Sequence, residues 1–132
     1  MKMYTQGDIV HIPSQQNENA NLIHRGRPAI IISRNCVSKY ANFVSVVYLT
    51  TKNKNSMGSH IKLKTGGKNA IALCEQITSL PKEEVGAVMG HISQSDMLKV
   101  SVGIIWANVS EALCQAIYVT ILPILHIFKK QE

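Results

Sequence analysis

Two points in this chain set cationic and hydroxyl side chains where an apolar run meets a polar turn, and there phosphate chemistry could be built. The first is His24-Arg25-Gly26-Arg27-Pro28-Ala29-Ile30-Ile31-Ile32-Ser33. Its β-branched run is long enough for a strand and too short to span a membrane. Pro28 fits only at the strand's beginning, since farther in it would leave a ladder hydrogen bond unmade. Arg27 is therefore expected at a strand mouth, with a rigid fork of donors beside whatever binds at the rim. The second point is Thr50-Thr51-Lys52-Asn53-Lys54, at the end of the β-branched and aromatic run from Phe43. Hydroxyls and lysines at a strand end, near an arginine, are suited to gripping a phosphodiester. The same residues have ordinary uses: an arginine caps a strand, threonine favours strands, and lysines keep a loop soluble.

Histidine is the other candidate for proton transfer, because it titrates near neutrality. His24, His60 and His91 have no metal-ligand spacing, and of these only His24 and His60 are expected beside the groove at Arg27. His60 is a candidate both for direct participation and for substrate contact, while His11 and His126 read as structural or surface residues. Cys36, Cys74 and Cys114 are widely spaced and lack a C-x-x-C pair. They give neither a disulfide framework nor a zinc pattern, so buried thiols in a reducing cytoplasm are expected, and separately no metal or other cofactor is. The start of the chain has no apolar run of the signal-peptide kind.

At 132 residues and 45% apolar content the chain is expected to form one domain, 1–132, with a real core. Its 14 basic and 8 acidic side chains leave a formal charge of +6. That excess favours a polyanionic partner, without separating a nuclease from a passive binder. In order, Asp8 to Pro13 reads as a first strand with Ile9 and His11 on one face and Val10 and Ile12 on the other. Ser14 to Asn21 reads as a mobile loop and Arg34 to Asn42 as a polar linker. Phe43 to Thr50 is the strongest strand. His60 to Lys64 alternates so that Ile61 and Leu63 face the core, and His60, Lys62 and Lys64 the other side.

Thr65 to Asn69 turns the chain, and Ala70 to Leu80 forms another strand stopped by Pro81. Glu75 and Gln76, being consecutive, point to opposite faces of it. Ser93-Gln94-Ser95-Asp96 has the spacing of a helix N-cap, followed by an apolar stripe at Met97, Val100, Ile104 and Ile105. Strands without an intervening long helix predict a small, coiled antiparallel sheet or barrel, mainly β with a helix packed on it. The apolar stretch from Ala112 to Phe128 is broken by Pro123 and His126. It makes a poor membrane span and a candidate oligomerisation surface.

Four blocks, Gly7-Asp8-Ile9-Val10, Gly26 to Ser33, Val47-Tyr48-Leu49-Thr50-Thr51 and Leu73 to Leu80, occur in an order and spacing that resembles the MazF/PemK/Kid toxin family of bacterial toxin-antitoxin systems. The resemblance covers roughly residues 4 to 106. It implies a compact SH3-like barrel with a C-terminal helix, a homodimer, a small acidic antitoxin partner, and metal-independent cleavage of single-stranded RNA. It also implies Arg27 and Thr50 as the catalytic pair, with Glu75 where some relatives carry an acid near the site. Lys52, Lys54, His60, His24, Glu75 and Gln76 are the expected substrate contacts. Two features depart from the family pattern. The interval Asn19 to His24 lacks the glutamate-glutamine pair that members commonly carry there, and the apolar tail runs past their usual length.

The chemistry is consistent with these residues. Cleavage through the neighbouring 2′-hydroxyl needs a proton removed, the growing phosphorane charge met, and the 5′-oxygen protonated. Arg27 suits the second task because it stays cationic and can fork onto two oxygens. Thr50 could donate to a non-bridging oxygen or position the 2′-hydroxyl. The alternative is a non-catalytic basic barrel that binds nucleic acid or a protein.

Overall fold

In the computed structural model, residues 3–16, 22–24, 26–52, 57–65, 67–113, 115, 116 and 119 are described. Among these residues eight strands and two α-helices follow in the order β1 (Asp8–Ile12), β2 (Gln15–Gln16), β3 (Leu22–His24), β4 (Arg27–Ile31), α1 (Asn35–Tyr40), β5 (Phe43–Thr50), β6 (His60–Thr65), β7 (Lys68–Pro81), β8 (Val88–His91) and α2 (Gln94–Asn108). Six of the strands form one antiparallel sheet in the order β6-β7-β5-β4-β1-β8, and β2 pairs with β3 separately. The result is a curled half-barrel with a C-terminal helix, as the strand pattern predicts.

Period-two alternation explains why both faces of the sheet are apolar. Val10 and Ile12, Ala29 and Ile31, and Val44, Val46 and Tyr48 point to one face, where Tyr4, Leu80 and Val85 complete the cluster. Ile9, Ile30, Val47, Leu49 and Leu63 point to the other, and there α2 covers them with Val100, Met97 and Ile104. A sheet filled on both sides holds its register firmly, because a one-residue slip would exchange the two clusters.

The helix starts where Ser93 accepts a hydrogen bond from the Asp96 backbone N–H at 3.1 Å. It comes close to the sheet at Gly103, where an added Cβ would lie 2.9 Å from Ile61 Cγ1 and 3.0 Å from Cys74 Sγ. Its opposite side leaves Leu98, Val102, Ile105 and Trp106 exposed. Ile105 thus belongs to the outward face and not to the buried stripe.

Three segments differ from the sequence expectation. The polar linker after Ser33 contains α1, a short helix of weak formers held by its buried Ser38, whose hydroxyl lies 2.9 Å from that of Ser33. The polar stretch before Arg27 supplies β2, whose Gln15 pairs with His24 of β3. Beyond Pro81 the chain makes a single 3-10 turn and then β8, which joins the sheet along β1. The proposed tail surface from Ala112 to Phe128 lies largely outside the described residues. Among them no helix is long and apolar enough to cross a membrane.

Candidate functional site

Arg27 opens β4 and Thr50 closes β5, two antiparallel neighbours. Both stand two positions beyond the ladder pair Ala29–Tyr48 and therefore on the same face as that pair. The Arg27 guanidinium lies over the Tyr48 ring, 4.6 Å from its centroid. This stacking restrains a long side chain, and the ring's negative face favours the cation. Among the described residues no carboxylate forms an ion pair with Arg27. Thr50 Oγ1 accepts the Lys52 backbone N–H at 3.2 Å, which orients the hydroxyl and leaves its proton for another acceptor. Lys52 is exposed just beyond. Lys54 and the side chain of His24 lie outside what is described.

The same face continues across the sheet. Thr50 is opposite Ile71 of β7, Ile71 is opposite Lys62 of β6, and His60 stands two residues from Lys62. Period two thus brings Arg27, Thr50, Lys62 and His60 to one side. The β5–β7 register shifts between Val47 and Leu49, so that Leu73 to Gln76 oppose Tyr48 in a bulge. A bulge re-aims the side chains it carries. Here Glu75 turns toward β6, and His60 Nε2 lies 2.9 Å from its Oε1 while Ser59 Oγ donates to Oε2 at 2.7 Å. Gln76 is exposed and has no described part in this network.

Partial burial disfavours the Glu75 carboxylate. The hydrogen bonds from Ser59, from its own backbone N–H and from His60, together with the charge of His60, outweigh that effect and hold it below the ordinary value. Burial, reinforced by the Glu75 charge, pushes the neighbouring Cys74 thiol up to about 11.

Thr50 also walls a cleft of about 760 Å³ between the strand ends and the start of α2. Pro28, Thr51, Lys64 and Lys68 line it as well, and so does His91. His91 thus lines a cleft that shares Thr50 with the expected site but does not include Arg27. His91 Nδ1 lies 2.9 Å from Asp8 Oδ1, and Thr5 N–H donates to Asp8 Oδ2 at 2.8 Å. Asp8 and His91 are paired across β1 and β8, far apart in the chain, so no local spacing could reveal them. A second cleft of about 530 Å³ adjoins Thr51 and is flanked by Lys62, Lys64 and Lys99. Among the described residues no group of three or more His, Cys, Asp and Glu is arranged to hold a metal ion.

An antiparallel half-barrel closed by a helix is a fold seen in a class of small toxins. The sequence profile of the PemK-like, MazF-like toxins of type II toxin-antitoxin systems matches residues 5–107, and the chain belongs to that family. Among solved structures, it is similar to an endoribonuclease in complex with its cognate antitoxin from Mycobacterial species. That pair has 19% identity and a TM-score of 0.67 over 79% of this chain and 93% of that one. It is also similar to a MazE-MazF complex from Deinococcus radiodurans, with 14% identity and a TM-score of 0.66 over 80% and 95% of the two chains. The Mycobacterium tuberculosis toxin MazF-mt6 gives 19% identity and a TM-score of 0.59 over 75% and 94%. No curated protein matches the chain in sequence.

Proposed function

We propose that the protein is an endoribonuclease toxin that cuts single-stranded RNA without a metal ion, with Arg27 and Thr50 as its catalytic pair. The observation that carries this reading is a stacked arginine and an oriented threonine hydroxyl on the same face at adjoining strand ends. In the reaction the 2′-oxygen forms a bond to phosphorus while the bond to the 5′-oxygen breaks. One proton leaves the 2′-hydroxyl and one joins the 5′-oxygen, giving a 2′,3′-cyclic phosphate and a 5′-hydroxyl end. Arg27 meets the charge that grows on the non-bridging oxygens, where a preorganised cation acts most strongly. Thr50 donates its free proton to one of them. Lys52 and Lys62 lie along the strand's path and hold neighbouring phosphates, and the His60–Glu75 pair frames that face.

Family membership also supports a cognate antitoxin. An acidic, extended segment of that partner can lie across Arg27 and Lys52, satisfy the donors a phosphate would use, and block the site. A homodimer accords with the apolar side of α2, which one copy leaves exposed. The test is incubation of purified protein with a mixed-sequence RNA in excess EDTA. Fragments ending in 2′,3′-cyclic phosphate are expected. Intact RNA with folded protein would leave a non-catalytic basic binder as the reading.

A further inference from the structure

An arginine at a strand mouth has a long, flexible stem, and its guanidinium serves a developing charge only if something holds it in place. A carboxylate can do so, but it would occupy two of the five N–H donors and offset the positive charge. Among the described residues none forms an ion pair with Arg27. Its fixed neighbour is instead the Tyr48 ring, whose centroid lies 4.6 Å from the guanidinium carbon. The register explains how the two meet. Tyr48 stands directly opposite Ala29, and Arg27 is two residues from Ala29 on the same face, so Arg27 and Tyr48 are diagonal neighbours across β4 and β5. Ala29 is fully buried and brings only a methyl group, which leaves the ring free to reach toward Arg27.

We propose that Tyr48, set diagonally across the strand pair from Arg27, is the positioning residue of the catalytic arginine. This rests on the endoribonuclease reading, in which Arg27 meets the charge on the phosphorane. Tyr48 is 8% exposed and packed among Val10, Ala29, Ile31 and Val46, so the core fixes the ring before any substrate arrives. The chain's other cation over a ring, Lys39 on Tyr40, has no such anchor, because Tyr40 is 78% exposed. The Tyr48 ring attracts the guanidinium through its negative face and brings no carboxylate oxygen to compete for the N–H fork. The ring therefore sets where the cation sits, while the fork and the full charge stay available to two phosphate oxygens.

Two measurements test this. The first is a kinetic double-mutant cycle on RNA cleavage. Tyr48→Leu, which keeps apolar bulk in the core and removes the ring, should lower kcat about tenfold with KM held within about twofold, since the arginine acts on the transition state. Tyr48→Phe should recover most of that loss, because the ring and not the hydroxyl makes the contact. Arg27→Lys should cost far less in the Tyr48→Leu protein than in the wild type, because the fork it removes is no longer aimed. Additive losses, a folded Tyr48→Leu protein with the wild-type kcat, or a Tyr48→Phe defect equal to that of Tyr48→Leu overturns the proposal.

The second measurement needs neither activity nor a change in the core. In NMR spectra of the wild-type protein, the side-chain protons of Arg27 should resonate upfield of those of the exposed Arg34, because they lie in the shielding region over an aromatic ring. Equal positions for the two arginines overturn the assignment. If the wild type cuts no RNA while Arg27 is shifted upfield, the endoribonuclease reading fails and the ring's hold on the arginine stands.

Discussion

Ser59, His60 and Glu75 direct their polar atoms at one another, whereas Arg27 and Thr50 direct theirs outward. Both centres share a sheet face, and sequence alone groups them together as a site. In the first, Glu75 accepts from two partners and is held ionised inside a closed network. In the second, a cation rests on an aromatic ring, and a hydroxyl has its acceptor side occupied and its proton spare. A satisfied network gains little from a ligand and serves to rigidify the β6–β7 hairpin. An oriented, unsatisfied pair is poised to meet a developing charge. The difference teaches that His60 and Glu75 act first as the frame of the site, and Arg27 and Thr50 as its chemistry.

The sharpest way to break this comparison is Arg27→Ala. It should remove about 3 kcal/mol or more of transition-state stabilisation, a hundredfold or greater loss of cleavage rate, with little change in melting temperature. Arg27→Lys should recover only part, since it keeps the charge and loses the fork. A wild-type rate for Arg27→Ala would move the chemistry elsewhere. Thr50 comes next: Thr50→Val should cost about tenfold or more in rate, and Thr50→Ser should retain most of it, because only the hydroxyl is used.

Glu75→Gln should show the opposite division, lowering stability by about 1 kcal/mol at neutral pH while leaving a measurable cleavage rate. The sign of its pH dependence follows from the lowered value in the fold. The contribution of Glu75 is present above its ordinary value of 4.5 and is lost as pH falls through the depressed one. The melting temperatures of wild type and Glu75→Gln should therefore converge in acid, and a constant gap would contradict the network. The smallest effect is chemical. Cys74 is the buried thiol the sequence leads one to expect, but Cys36 is exposed; Cys36 should react with iodoacetamide at pH 8, while Cys74, pushed up to about 11, should stay unmodified by peptide mapping.

Much of this was legible in the residues. The alternation at His60 to Lys64, the β-branched run from Phe43 and the N-cap at Ser93 are local signals that survive folding unchanged. What was not legible depends on long-range pairing. β8 is short, contains Gly90, and becomes a strand only because β1 offers it an edge. The partners of Glu75 follow from a bulge that exists only once β5 and β7 settle in two registers. The Asp8–His91 contact joins the first strand to the last and has no sequence spacing to announce it. The helix α1, built from Asn, Cys, Val and Ser, lies below what propensity alone would select.

Gly58 precedes the Ser59–His60 pair, and a Cβ there would lie 2.6 Å from the Trp106 ring. Trp106 is the chain's single tryptophan and is otherwise 59% exposed on α2. The molecule thus carries one indole fluorophore, seated where the turn before β6 touches the helix. Its emission is a built-in gauge of whether that turn stays docked. Loosening the turn admits water to the indole and shifts the emission to the red, so a fluorimeter can follow the frame of the site while RNA or an antitoxin is added, with no label attached.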